Sequence, residues 1–139
     1  MQDSPNIETR HSKIVTLAKE IPATNSDWEK VEAIYDLARS KLEYKEGPNK
    51  SVVTALADGT GDCEELTGLF IALCRSQRIP ARAVWVKGHC YPEFYLTDEK
   101  GEGNWYPCQA AGDRAFGGIP ELRAAIRRQN RILVASIGV

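Results

Sequence analysis

The sequence predicts an α+β domain in which helices pack on one face of an antiparallel sheet. To about residue 77, apolar residues recur at the spacing of amphipathic helices. From residue 81 the pattern changes to short segments rich in Val, Trp and Tyr, which is typical of strands. Because the helices come first and the strands follow as a meander, we expect the helices to cover one side of a single sheet.

Three helices are predicted before residue 60, at about residues 7–20, 27–43 and 52–58. Pro22 ends the first helix, because proline cannot continue a helical hydrogen-bond ladder. Ser26 and Glu29 have the spacing of a capping box and open the second helix. Gly59 closes the third helix, since glycine readily adopts the left-handed conformation of a helix C-terminus.

A fourth helix is predicted to begin at Cys63 and to stop before Pro80. Asp62 is its N-cap, and Glu65 occupies the capping-box position three residues later. Cys63 is therefore the first helical residue. At that end of a helix, unpaired backbone N–H groups and the helix dipole favour a negative charge.

Strands are predicted over residues 81–87, 89–97 and 104–109, and the turn-rich segment 98–103 joins the last two. A further helix over about 120–128 and a strand over 132–137 are predicted in the tail.

Length and charge narrow the possible classes of function. The chain has 139 residues, and we treat residues 1–139 as a single domain. Its 18 Lys and Arg against 19 Asp and Glu give a net charge of -1, which argues against nucleic acid as the main partner. We expect no membrane insertion, because no apolar run approaches the roughly 18 residues of a membrane helix. The oligomeric state stays open, as does the compartment: bacterial cytoplasm, or export if the native N-terminus is missing.

Cys63 is the candidate nucleophile among the four cysteines. A thiol attacks as the thiolate, and a helix N-terminus lowers its pKa. Glu64 and Glu65 oppose that effect because negative neighbours disfavour a thiolate, so a nearby imidazolium is required. Free cysteine is otherwise a common core residue, and core packing is the interpretation of the other three, Cys74, Cys90 and Cys108.

His89 is the candidate base, since it opens a strand whereas His11 lies in a polar part of the first helix. If the two strands pair around a turn centred near Glu99, His89 lies opposite Gln109. A glutamine side chain can accept a hydrogen bond from the imidazole and fix its tautomer, which is the task of a triad's third member. The predicted catalytic residues are Cys63, His89 and Gln109.

Other polar residues have simpler interpretations. Glu93 is taken as a solvated carboxylate, and Asp98 and Asp113 as weaker substitutes for the third catalytic residue. No metal and no cofactor is expected. The one plausible set of four zinc ligands is Cys63, His89, Cys90 and Cys108. Strand alternation places His89 and Cys90 on opposite faces, so these four side chains cannot converge on one ion. In an oxidising compartment, a cross-strand disulfide between Cys90 and Cys108 is an alternative to core packing.

Four segments together resemble the core of the transglutaminase-like superfamily: Gly-Asp-Cys-Glu-Glu at 61–65, Ile-Pro-Ala-Arg at 79–82, His-Cys-Tyr-Pro-Glu-Phe-Tyr-Leu at 89–96 and Trp-Tyr-Pro at 105–107. The resemblance covers about residues 28–117 and implies a cysteine-enzyme fold similar to papain in its order of thiol, histidine and third polar residue. Residues 118–139 are a C-terminal extension, and we expect the chain to be cut from a larger protein.

The resemblance implies that Cys63 forms a thioester with the carbonyl carbon of an amide in a protein or peptide, with His89 as general base and acid. Water as acceptor would make the domain a protease, amidase or deamidase, and an amine would make it a cross-linking acyltransferase. The family usually has Asp where Gln109 stands, and Gly where Arg78 stands. The first departure motivates an alternative, a catalytically weakened domain that serves as a binding or scaffolding module. A purely structural domain with a buried Cys63 is a third interpretation.

Overall fold

The computed structural model describes residues 10–86, 89–112 and 114–118, together with the backbone of residues 125–128. Within these residues the chain forms helices α1 Ser12–Ala18, α2 Asp27–Lys41, α3 Val52–Asp58 and α4 Cys63–Ser76. The strands are β1 Glu43–Tyr44, β2 Thr60–Gly61, β3 Ala81–Val86, β4 His89–Thr97, β5 Gly103–Gln109, β6 Ala115–Phe116 and β7 Ala125–Arg128.

Five strands form one antiparallel sheet in the order β6-β5-β4-β3-β7, and β1 and β2 form a short parallel pair. Helix α4 packs against β3 and β4, and the other three helices pack on α4. The predicted α+β fold, with its helices on one face of an antiparallel sheet, is confirmed.

Helix α4 is the central element of the core. Every residue from Glu65 to Arg75 is buried, as expected for a helix that has neighbours all around its axis. On the sheet side the Phe70 ring lies 6.1 Å from the ring of Phe94, and on the helix side it lies 6.3 Å from Tyr35, both edge to face. This packing fixes the position of α4 relative to β4.

The observed elements differ from the predicted ones at several ends. Helix α1 begins at Ser12, with His11 as its N-cap, while residues 7–9 lie outside the described part of the chain. Helix α2 ends at Lys41 because Leu42 is extended and passes the chain into β1.

The predicted helix at 120–128 is wrong over residues 125–128, which form β7 and pair with β3. The otherwise open edge of β3 offers backbone hydrogen-bond partners that the local helical pattern could not reveal. Residues 119–124 and the predicted strand at 132–137 lie outside the described residues.

The β4–β5 hairpin is shifted by two positions from the predicted register. Glu93 pairs with Pro107 where the prediction placed Trp105, and the last pair is Thr97 with Gly103. The cause is the loop, because the Asp98 carboxylate accepts backbone hydrogen bonds from the second and fourth residues after it and closes a five-residue turn. A shift of two is one full side-chain period, so every residue keeps its predicted face.

Arg78 ends α4 in the left-handed conformation, with φ of 61°. The N–H of Ile79 donates to the Cys74 carbonyl and the N–H of Arg78 donates to the Arg75 carbonyl, each at 3.0 Å. These two bonds are the pair that defines a Schellman motif, in which glycine is the usual residue at the position of Arg78.

Replacing Arg78 by glycine should raise the free energy of unfolding by about 0.5–1 kcal/mol. An L residue in the left-handed region costs about 1–2 kcal/mol, and glycine removes that cost. Glycine also increases the conformational freedom of the unfolded chain, which offsets part of the increase in stability. Urea denaturation measures the difference. The control is Arg78→Ala, which keeps the backbone cost and should show no gain; equal stability of the alanine and glycine variants would contradict the explanation.

Candidate active site

Cys63 is the first residue of α4 and is half-buried. The N-terminus of this helix is fixed by a complete capping box, as predicted. The Asp62 carboxylate accepts from the N–H of Glu64 at 2.9 Å and of Glu65 at 3.4 Å, and the Glu65 carboxylate accepts from the N–H of Asp62 at 3.3 Å. Burial raises the pKa of Glu65 to about 7, and its hydrogen bond with the Asp62 side chain adds to that rise.

The short β1–β2 pair holds the chain just before Cys63. Tyr44 pairs in parallel with Gly61, and a Cβ on Gly61 would lie 2.8 Å from the Cβ of Glu65, so a larger residue there would displace the helix start. Tyr44 is exposed next to the candidate nucleophile. Desolvation raises the pKa of Tyr44, and the negative charges of Glu46 and Cys63 add to the effect.

His89 and Gln109 are brought together as predicted. His89 Nε2 lies 2.7 Å from Gln109 Oε1. The observed register makes the two residues diagonal neighbours on one face, and a diagonal separation is within reach of a long side chain such as glutamine. With an amide oxygen as acceptor, Nε2 carries a hydrogen in both protonation states, so Nδ1 is the nitrogen that gains or loses the proton. The ring of Tyr91 stacks near that of His89, with centroids 6.4 Å apart.

Helix α2 anchors the backbone of Gln109. The Tyr35 hydroxyl donates to the Gln109 carbonyl at 2.6 Å and accepts from the N–H of Ala115 at 3.0 Å. Arg39 donates to the same Gln109 carbonyl at 3.0 Å and to that of Gly112 at 2.6 Å. Burial raises the pKa of Tyr35, which keeps its hydroxyl proton available for donation.

Cys90 lies against the candidate nucleophile, a contact that the sequence analysis missed. Its Sγ is 3.7 Å from Cys63 Sγ and 3.9 Å from the Thr67 hydroxyl, and the residue is only 2 % exposed. The interpretation of Cys90 as a core residue is confirmed, since it is buried on the side of β4 that meets α4. The sequence did offer one indication of this contact. If His89 acts on Cys63, the start of β4 lies next to the start of α4, and the residue after His89 points to the opposite face of the strand, where the helix packs.

The pKa of Cys63 is lowered to about 6, first because the Cys90 S–H donates to its sulfur. Burial works in the opposite direction, while a backbone hydrogen bond with Cys90 and the charge of His89 lower the pKa further. Asp62 is a carboxylate that opposes the shift. The requirement for an imidazolium is therefore only part of the explanation, because a neutral thiol donor makes the largest favourable contribution. The same contact and burial raise the pKa of Cys90 far above its ordinary value.

Glu93 is not the solvated carboxylate that the sequence suggested. It is 6 % exposed and forms an ion pair with Arg82 at 3.1 Å, and the Arg82 guanidinium lies 3.7 Å from the centre of the Trp105 ring. This arrangement supports the sheet.

Asp98 lies in the loop after the last residue of β4, whereas His89 is the first residue of that strand. Asp113 lies outside the described residues.

All four cysteines are free, so the alternative of a disulfide between Cys90 and Cys108 does not describe this structure. Cys74 and Cys108 are completely buried, and burial raises the pKa of both thiols above the ordinary value.

In the part of the chain that the structure describes, no three His, Cys, Asp or Glu side chains are grouped so that they could hold a metal ion. Nor do the described helices include one long and apolar enough to cross a membrane.

Cys63 is half-buried at a helix start, and His89, which an amide side chain holds, is near enough for its charge to lower the pKa of the Cys63 thiol. This arrangement, on helices packed against an antiparallel sheet, is that of a papain-type cysteine-enzyme fold. The sequence model of the transglutaminase-like superfamily matches residues 15–110, more than half of the chain. The chain belongs to the transglutaminase-like superfamily. The match starts earlier and ends earlier than the region of about 28–117 that the motifs suggested.

Among solved structures, the fold is similar to a protein from Cytophaga hutchinsonii described as "a putative cysteine protease". The two are 28 % identical with a TM-score of 0.63, and the alignment covers 78 % of this chain. It covers 39 % of the other chain, so the present sequence spans about two-fifths of that protein's length. Comparison with curated proteins gave no match.

Removing the sulfur of Cys90 should raise the pKa of Cys63 above its value of about 6. In Cys90→Ala, the pH at which alkylation by iodoacetamide is half-maximal should move toward the roughly 8.5 of an ordinary thiol. Cys90→Ser should stay near the wild-type midpoint, since a hydroxyl also donates a hydrogen bond. The measurement is the rate of Cys63 labelling against pH by peptide mass analysis.

The matched control for this experiment is Cys108→Ala, which removes a buried strand cysteine away from Cys63 and should leave the profile unchanged. An alanine variant of Cys90 whose profile superimposes on that of the wild type would show that the thiol contact does not set the pKa of Cys63.

Proposed function

We propose that this domain catalyses thiol-dependent acyl transfer or hydrolysis at amide bonds of a protein or peptide, through a thioester on Cys63. The observation that carries the proposal is the combination of a low-pKa thiol at a helix start with an imidazole held at 2.7 Å by Gln109. Membership of the transglutaminase-like superfamily and the similarity to the protein described as "a putative cysteine protease" support it.

The first half of the reaction forms the thioester. The Cys63 thiolate attacks the amide carbonyl carbon, and the oxygen gains negative charge as the tetrahedral intermediate forms. The backbone N–H of Cys63, at the free end of α4, is a natural donor to that oxygen. His89 gives a proton to the nitrogen, so the C–N bond breaks and ammonia or an amine leaves.

The second half returns the thiol. His89 takes a proton from water or from a second amine, which attacks the thioester carbon and releases the Cys63 sulfur. Water yields a carboxylic acid, and an amine yields a new amide. Cys63 is half-buried at the start of α4, so a thioester on its sulfur is not fully enclosed by the core and an acceptor can approach it.

Gln109 also favours a second candidate function. An amide fixes the tautomer of His89 but supplies no negative charge to stabilise the imidazolium, in contrast to the aspartate that the family usually has. A catalytically weakened domain that binds or scaffolds other proteins is therefore the alternative. The two functions differ in whether Cys63 converts a substrate to product repeatedly or only binds a partner.

Ammonia release from glutamine-containing peptides should be detectable with the wild-type domain and should be lost in Cys63→Ala. His89→Ala should reduce the rate by about 10²–10⁴-fold, the usual contribution of a general base. Each assay is run with and without an added primary amine, because an amine that appears in the product identifies transfer while a free acid identifies hydrolysis. A parallel assay with peptide amide bonds tests proteolysis.

Absence of ammonia release and of peptide cleavage, in a domain whose Cys63 is nevertheless alkylated rapidly, would favour the binding module. Alkylation of Cys63 no faster than that of the buried Cys74 and Cys108 would contradict both an activated pair and the enzyme.

Replacing Gln109 by alanine should slow alkylation of Cys63 by about tenfold, since the imidazole is no longer held in one orientation. Gln109→Asp should preserve or raise the rate, because a carboxylate holds the ring and also stabilises the imidazolium. The backbone anchors from Tyr35 and Arg39 remain in both variants, so the thermal midpoint should change little. Unaltered reactivity in the alanine variant would mean that another group orients His89.

A further inference from the structure

Two thiols of different exposure meet beside the catalytic histidine. Cys63 is half-buried at the start of α4, whereas Cys90 lies behind it on β4 and is 2 % exposed. Their sulfur atoms are 3.7 Å apart in the reduced state. The described residues thus place an accessible reactive thiol next to a protected one. The acyl-transfer mechanism uses the protected thiol only as a hydrogen-bond donor, and its capacity to form a covalent bond has no part in that mechanism.

We propose that Cys63 and Cys90 form a reversible redox pair, in which Cys90 resolves a sulfenic acid on Cys63 by closing a disulfide. The inference rests on the proposed function in one respect, namely that Cys63 is a reactive thiolate. The oxidant is a hydroperoxide, and the reductant that restores the pair is a dithiol. The disulfide would switch the enzyme off while protecting its nucleophile from irreversible oxidation.

The chemistry proceeds in two balanced steps. The Cys63 thiolate attacks the hydroxyl oxygen of the hydroperoxide and forms the sulfenic acid, while the O–O bond breaks. The other oxygen leaves as water or an alcohol after it takes a proton from the His89 imidazolium. The Cys90 sulfur then attacks the sulfenic sulfur, the S–S bond forms, and the hydroxyl leaves as water with the Cys90 proton. The two sulfur atoms together lose two electrons, and the peroxide gains them.

The geometry requires only a short movement. A disulfide needs the sulfur atoms at about 2.05 Å, so they must approach from 3.7 Å. Rotation about the side-chain bonds of Cys63 can supply part of the approach because this residue is not enclosed by the core. Cys90 is already directed at Cys63, since its S–H donates to that sulfur.

The electrostatics of the pair change in favour of the second step. The pKa of Cys90 is raised first by its hydrogen bond with Cys63, then by burial and by the Cys63 negative charge. Two of these three causes depend on the Cys63 thiolate and disappear when it becomes a neutral sulfenic acid. Cys90 therefore ionises more easily only after Cys63 has been oxidised.

The remaining cysteines provide a matched comparison within the same chain. Cys74 and Cys108 are both 0 % exposed, and Cys74 contributes to the raised pKa of Cys108, which places these two thiols near each other as well. Neither is open to a peroxide. Proximity without an exposed, acidic partner should leave them reduced.

The test treats the reduced domain briefly with hydrogen peroxide under native conditions, then blocks free thiols after denaturation and maps the peptides by mass. Trypsin leaves Cys63 and Cys74 together on residues 51–75, so a second cleavage after Glu64 or Glu65 is needed to assign the bridge. The wild type should give a Cys63–Cys90 cross-link that dithiothreitol reverses. Cys108→Ala should behave in the same way.

Cys90→Ser is the decisive variant because it keeps a hydrogen-bond donor for Cys63 but cannot form a disulfide. At the same peroxide dose, Cys63 should advance to sulfinic acid, and the free thiol recovered with dithiothreitol should fall on the order of tenfold. Equal recovery in the wild type and Cys90→Ser, or a bridge between Cys74 and Cys108 alone, would overturn the proposal.

Iodoacetamide labelling of a separate native sample that has not been oxidised distinguishes the two inferences. Rapid labelling of Cys63 in that sample, with no disulfide in the peroxide-treated sample, overturns the redox pair and leaves the proposed function intact. Slow labelling of Cys63 would show that it is not a reactive thiolate, which would contradict both the redox pair and the proposed function.

Discussion

The reciprocal hydrogen bonds between Asp62 and Glu65 fix the start of α4, and the geometry of the candidate site follows from that start. They define which residue is first in the helix, and that residue is Cys63. Since the rest of α4 is buried between the sheet and the other helices, its end cannot slide or rotate independently. The site is therefore formed where a rigid helix meets the first residues of β4.

The third candidate catalytic residue, Gln109, is held by a different part of the structure. Tyr35 and Arg39 of α2 bind the carbonyl group of Gln109, so the end of β5 is attached to a helix as well as to its neighbouring strand. This backbone attachment leaves the amide side chain free to contact His89. The orientation of the imidazole thus depends on helix–sheet packing that extends well beyond the site, which is a general feature of preorganised active sites.

Much of the fold and the three candidate catalytic residues could be predicted because their signals are local. The capping pattern at Asp62 and the strand alternation around His89 and Gln109 depend on residues within three positions of each other in the chain. The shift in register did not change which side chains share a face of the sheet, because two positions is one side-chain period. The contact of Cys90 with Cys63 and the strand at 125–128 depend on tertiary pairing, which no local pattern encodes. The buried pair of Arg82 and Glu93 was missed for the same reason, because charged residues on a strand ordinarily indicate a solvated face.

The two ends of α4 carry different kinds of constraint. Its 14 residues span about 21 Å, with the candidate nucleophile Cys63 at one end. Arg78, in a conformation that glycine adopts more easily, lies just beyond the other end. The backbone cost at Arg78 arises in its own φ angle, at the opposite end of the helix from Cys63. A substitution at the helix exit therefore changes the stability of the domain without changing any group that contacts the Cys63 sulfur.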